Sequence, residues 1–195
     1  LSCRARGKLV CWSGAIFDCH FRMVDPGSGQ DVQGGFSEQE KRDNLIRLVF
    51  DGNPERFDMF CRTLEEFVPP GTTVIMRGSA VTGQRWNDHA PFDAEGPGTS
   101  DLDVTLVGNA GLIYFIPTGF FVPGVHSRPL SDDDPDIAPD LVPLRKKLME
   151  MVKRPVNIQA SREIVIQVRG DLIGQPYLEL FRKPEGLSLN GPPPS

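Results

Sequence analysis

TTVIMRGSAV (72–81) and SDLDVTLV (100–107) decide how this sequence folds. TTVIM (72–76) is a short β-branched, apolar run, which predicts a buried strand that ends in Arg77-Gly78-Ser79. DLDVTLV (101–107) alternates strictly, so a strand there puts Asp101, Asp103 and Thr105 on one face and Leu102, Val104 and Leu106 on the other. The leucine and valine face belongs to the core. The two carboxylates then lie about 6.6 Å apart along the backbone, close enough to converge on one or two divalent ions. Gly78 allows backbone to approach a phosphate closely, and exposed N–H groups with the Ser79 hydroxyl can bind its oxygens. Each part alone has a plain alternative. Asp-x-Asp also suits the solvent face of an edge strand, and Gly-Ser an ordinary turn.

Working outward, SEQE (37–40) has capping-box spacing ahead of Leu45, Leu48 and Val49, which predicts a helix. Asp51-Gly52-Asn53-Pro54 interrupts it, and a second helix places Phe57, Phe60, Cys61, Leu64 and Phe67 on one face before Pro69-Pro70-Gly71 stops it. Residues 80–100 hold Gly83, Pro91, Gly96, Pro97 and Gly98 without a sustained period and read as a long loop. Segment 108–140 opens with LIYFI and FFV and ends in the acidic DDDPDIAPD, which reads as a large excursion from the sheet, a lid or rim. A helix follows over 141–152, with Leu141, Leu144, Leu148, Met151 and Val152 on one face and Arg145, Lys146 and Lys147 facing elsewhere. VNI after Pro155 predicts a third strand, and EIVIQV (163–168) another, although its spacing also suits a helix.

Hydrophobic residues make up 39% and charged residues 24% of the 195, which supports one packed core. Gly and Pro contribute 20 and 18 residues, well above the average of roughly 12% together, so the core elements must be few and joined by much loop. A net charge of -5 disfavours a long nucleic acid, which needs clustered Lys and Arg. It suits a nucleotide or a protein partner. No apolar run reaches the roughly 18–20 residues of a membrane span.

Cys3, Cys11 and Cys19, with His20, lack CxxC spacing, so neither zinc nor a disulfide framework is indicated and reduced thiols in a cytoplasm are expected. Residues 1–36 read as a variable segment, 37–187 as the domain and 188–195, including NGPPPS (190–195), as a disordered tail. Residues 1–22 are basic and cysteine-rich, and Met23 is the expected start of the natural protein. LVCW (9–12) and AIF (15–17) are too short for a signal-peptide core.

The order of parts is the informative feature: two helices, a strand ending in Gly-Ser, then a strand opening with Asp-x-Asp. In VIMRGS (74–79) and SDLDVTLV (100–107) the sequence resembles the polymerase-beta-like nucleotidyltransferase superfamily. The resemblance spans roughly residues 37–180, and these two motifs are its specific content. It implies an α/β nucleotidyltransferase fold, a small mixed β-sheet backed by helices. It further implies that Gly78 and Ser79 hold the phosphates of a nucleoside triphosphate such as ATP, while Asp101 and Asp103 hold Mg2+ or Mn2+ and carry catalysis. The family often has a third carboxylate on the strand after the intervening helix, where this sequence has Asn157. Glu163 or Glu179 is then expected to complete the site, or neither. The 21 residues between Ser79 and Asp101 also exceed the family's usual connection, an insertion that costs little closure entropy.

Two functions follow from the resemblance. One is a metal-dependent transferase that moves a nucleoside monophosphate from a triphosphate to an unidentified acceptor: a protein, a small molecule or an RNA end. The other is a non-catalytic module of the same fold, antitoxin-like or a degenerate partner in a complex, which Asn157 favours. Arg77, Arg85, Arg128 and Lys146 read as solvated surface charges, His89 and His126 as loop residues without a positioned partner. Residues 132–136 lack the Gly and terminal Glu of a calcium-binding EF-hand loop.

Overall fold

The computed structural model describes residues 35–185, and within them the chain is a six-stranded mixed sheet with its longer helices packed on one face and a short one on the other. The expectations for Cys3, Cys11, Cys19, His20, Met23 and the tail at 190–195 lie outside the described residues. Helix α1 (Glu38–Val49) starts at the predicted capping box: Ser37 Oγ accepts from the Glu40 N–H and the Glu40 carboxylate accepts from the Ser37 N–H. Helix α2 (Pro54–Phe67) has Asn53 as its cap and Pro54 at its first position, where a missing N–H costs nothing.

Strand β1 (Thr73–Arg77) pairs antiparallel with β2 (Leu102–Val107), and β2 pairs in parallel with β5 (Val156–Ser161). Strand β6 (Tyr177–Arg182) covers the outer edge of β1. The sheet order is β3-β4-β5-β2-β1-β6, with β3 (Phe120–Val122) and β4 (His126–Ser127) forming an antiparallel pair on the far side of β5. Segment 108–140 is therefore not an excursion. It supplies the edge strand β3 and its neighbour β4, and Leu130 exchanges two backbone hydrogen bonds with Ile158 of β5.

Alternation sorts the sheet into two faces. Val74, Met76, Leu102, Val104, Leu106, Val156, Ile158, Ala160 and Leu178 are at most 3% exposed and form one core with α1, α2 and α5 (Val142–Val152). At roughly 1.5–3 kcal/mol for each large side chain removed from water, this is the main source of stability. Phe50 joins it, packed edge-on against Phe57 and Phe60 with ring centroids 5.5 Å apart.

The opposite face is polar and carries a shorter element. EIVIQV is a helix, α6 (Glu163–Gln167), continued by a π-helical turn over Val168–Leu172. Its Ile166 packs on Ile75, Val107 and Tyr177, so one apolar contact at helical spacing outweighed the β-branched propensity of the segment. Arg145 also differs from the sequence reading. It is 8% exposed and turned inward, its Nε donating to the Val156 carbonyl and its Nη2 paired with Asp132 at 2.8 Å.

The insertion between Ser79 and Asp101 opens with a four-residue helix, α3 (Ser79–Thr82), and then folds on itself. Asp93 accepts from the Gly98 and Ser100 N–H groups and is paired to Arg154 by two hydrogen bonds of 2.9 and 3.1 Å. The Arg154 guanidinium lies 4.5 Å from the Phe92 ring centroid. A loop without periodicity is thus fixed by one buried ion pair. Its fixation leaves β1 and β2 adjacent.

Candidate functional site

Strand β1 must turn sharply to enter α3, and Gly78 makes that turn with φ +83° and ψ −166°. The positive φ favours glycine, and a Cβ there would lie 3.1 Å from Asp103 Oδ2, so the carboxylate would have to shift. Ser79 follows as the first residue of α3, half-buried. The two motifs noticed separately in the sequence are in contact.

Asp101 lies just before β2 and is exposed, while Asp103 is half-buried on the polar face. In the strand register Asp103 faces Arg77 on one side and Asn157 on the other. The Asn157 amide donates from one nitrogen to both carboxylates, to Asp101 Oδ2 at 2.5 Å and to Asp103 Oδ1 at 3.3 Å. Burial, followed by the charge of Asp101, raises the Asp103 pKa above its ordinary value, against the opposing pull of Arg77 and the Asn157 hydrogen bond.

Neither glutamate joins the pair. Glu179 faces Ile75 in the register, is exposed and hydrogen-bonds Arg182, with β1 standing between its strand and β2. Glu163 opens α6 and lines a cavity of about 280 Å³ together with Glu179, Thr73, Ile75 and Tyr177. Among the described residues no group of three His, Cys, Asp or Glu side chains is placed to hold a metal ion.

The donor set nevertheless fits a hard divalent ion. Mg2+ commonly takes one or two carboxylates and keeps water or phosphate oxygens at its remaining positions, which Asp101 and Asp103 permit. The Asn157 nitrogen already sits between the carboxylates as a partial positive charge. A half-turn of that amide exchanges its NH2 for its carbonyl oxygen, converting a donor to the carboxylates into a neutral ligand.

Two residues set aside in the sequence belong to this face. Arg77 is not a solvated charge but 7% exposed, its Nε donating to Thr105 and its Nη2 to Gln159. Burial, then the charge of Arg169, lowers its pKa to about 10, so it stays cationic at neutral pH. His126 is on β4, 7% exposed, between Ser161 and Arg169. Burial and the nearby Arg169 and Arg77 hold its pKa down at about 4. Arg77 shares the parity of Thr73 and Ile75, a signal available in the sequence, whereas the strand under His126 was too short to show any period.

Of the remaining candidates, Arg85 lies within electrostatic reach of Asp101, and the others are bound or exposed elsewhere. Arg85 pairs with Glu95 and Arg128 with Asp134, Lys146 is exposed on α5, and His89 is exposed in the insertion. No helix among the described residues is long and apolar enough to cross a membrane. Compared with protein-family models, curated proteins and solved structures, the chain finds no match in any of the three.

Proposed function

We propose that this chain is a metal-dependent nucleotidyltransferase that moves a nucleoside monophosphate from a nucleoside triphosphate to an acceptor. The observation that carries the reading is the contact between Gly78 and Asp103, which places a phosphate-compatible turn against a carboxylate pair. The Gly78-Ser79 backbone and the Ser79 hydroxyl would bind phosphate oxygens, and Asp101, Asp103 and the Asn157 carbonyl would hold Mg2+ or Mn2+. The ion, when bound, stabilises negative charge on the phosphate and lowers the pKa of an acceptor hydroxyl. Transfer forms a bond from the acceptor oxygen to the α-phosphorus, breaks the bond from that phosphorus to the bridging oxygen and releases pyrophosphate. Asp101, exposed at the strand end, is open to the incoming groups, while the hydrogen bond from Asn157 orients Asp103.

Incubation with triphosphates labelled at the α-phosphate, Mg2+ or Mn2+, and protein, small-molecule and RNA acceptors tests this. Label should move to one acceptor class and stop in Asp101→Ala. Absent transfer, or transfer unchanged by that substitution, rejects the reading.

Asn157 supports a second reading, a non-catalytic module of the same fold. With neither Glu163 nor Glu179 beside the aspartates, the pair lacks a third charge to offset two ions. A triphosphate bound with Mg2+ but never turned over, while the chain associates stably with a partner protein, would select this reading.

A further inference from the structure

Arg77 and Arg169 bring two guanidinium groups to the polar face of the sheet. Arg77 rises from β1, and its hydrogen bonds to Thr105 Oγ1 at 3.1 Å and Gln159 Oε1 at 2.5 Å draw it across β2 towards β5. Arg169 stands on the π-helical turn and donates to His126 Nε2 at 3.3 Å. That nitrogen is therefore the unprotonated one, and Nδ1–H donates to Ser161 Oγ. The histidine is neutral and compensates neither charge.

Among the described residues neither arginine makes an ion pair. Each lies within electrostatic reach of the other and of Asp103. Asp103 faces Arg77 in the register but is held by Asn157 and coupled to Asp101. Two guanidiniums thus meet neutral oxygens and an imidazole on a face that folding could have filled with apolar side chains. Buried charge is costly without an opposite partner. Arg77 is nine-tenths buried, while Gln159 and Arg169 are only half-buried, so the strip is reachable from solvent.

We propose that Arg77, Thr105, Gln159 and Arg169 form an oxyanion subsite, distinct from the Gly78-Ser79 turn, that takes a phosphate or carboxylate group. Guanidinium N–H groups match two oxygens of either anion in a fixed plane, and the Thr105 hydroxyl adds a neutral donor, while Gln159 holds Arg77 through its oxygen and donates to the Ser127 carbonyl. The subsite starts at Arg77, the last residue of β1, and runs across β2 to Gln159 on β5. This inference does not depend on nucleotidyl transfer and is tested without metal.

The test is calorimetric titration of the full chain with inorganic phosphate and, separately, with acetate, in EDTA at neutral pH. At least one anion should bind. Arg169→Gln should weaken it about tenfold, the loss of one charge-assisted contact. Gln167→Ala, an exposed position on the same helical segment, should leave it unchanged. Preference for phosphate identifies a phosphorylated ligand, and preference for acetate a carboxylate; both support the subsite. It is overturned if neither anion binds, if Arg169→Gln binds as the parent does, or if Gln167→Ala causes the same loss.

Discussion

The Asp103 carboxylate occupies the space where a side chain at Gly78 would begin, with Oδ2 3.1 Å from the ideal Cβ position. Gly78→Ala therefore carries two penalties, a backbone at φ +83° that L residues rarely adopt and a contact that displaces the carboxylate. Strain of this kind costs on the order of 1–3 kcal/mol. Urea denaturation should show that loss, and titration with Mg2+ should show weaker binding. A variant with parental stability and parental metal affinity would mean that the turn and the carboxylate are independent.

Asn157→Asp tests the metal site from its weakest side. Without metal the variant brings a third negative charge against Asp101 and Asp103 and removes the donor they share, so its melting temperature in EDTA should fall. With Mg2+ the order should reverse, because a third carboxylate offsets the ion's charge where an amide cannot. The expected signature is a larger Mg2+-induced rise in melting temperature than in the natural sequence. Equal rises would exclude Asn157 from the ion's surroundings.

The sheet core was legible because alternation is local: Leu102, Val104 and Leu106 announce their face within six residues, and the register then extends it to Val74, Met76 and Ile158. Gly78 and Asp103 were each visible, whereas their contact depends on the β1–β2 register. The register that sets Asn157 beside Asp103 followed from the family resemblance, whereas the burial of Arg77 did not. An arginine can be read as solvated until the strands on both sides are known. His126 was hidden for a different reason, since two residues of strand carry no period. In α6, propensity and packing conflicted, and Ile166 decided the outcome through long-range contacts that no local window contains.

Asp103→Asn should stabilise the metal-free protein at neutral pH. The folded state holds the Asp103 pKa above its ordinary value of 3.8, so native Asp103 favours folding when protonated, and that contribution is lost as pH rises through the raised pKa. At pH 7 the charged form carries the cost of burial and of Asp101, which the amide avoids while still accepting from Asn157. The urea midpoint of the variant should exceed the parent's at pH 7, with the gap closing below about pH 3.8. A gap that widens on acidification would contradict the raised pKa.

His126 runs the other way. Its folded pKa of about 4 lies below the ordinary 6.5, so the stability it contributes is present above 6.5 and is lost as pH falls towards 4. Its imidazole carbon resonances should therefore stay those of a neutral ring down to about pH 4. Protonation of His126 near 6.5 in the folded protein would remove the basis for reading Nε2 as the acceptor from Arg169.

The insertion depends on one ion pair, and Asp93→Asn breaks it. Burial alone would raise the Asp93 pKa, but hydrogen bonds from Arg154, Gly98 and Ser100 outweigh it and hold the value at about 2. The contribution is therefore present above 3.8 and lost as pH falls towards 2. In the variant Arg154, with its side chain 8% exposed, keeps its charge without a carboxylate partner. The effect should be local, because residues 84–100 have few other links to the core than Phe92 and the Arg154 contact with the Ser100 carbonyl. Limited proteolysis should cut the variant within 84–100 well before the parent, and hydrogen exchange should rise there while β1, β2 and β5 remain protected. Uniform deprotection of all three strands would instead make Asp93 a determinant of global stability, with the insertion part of the core.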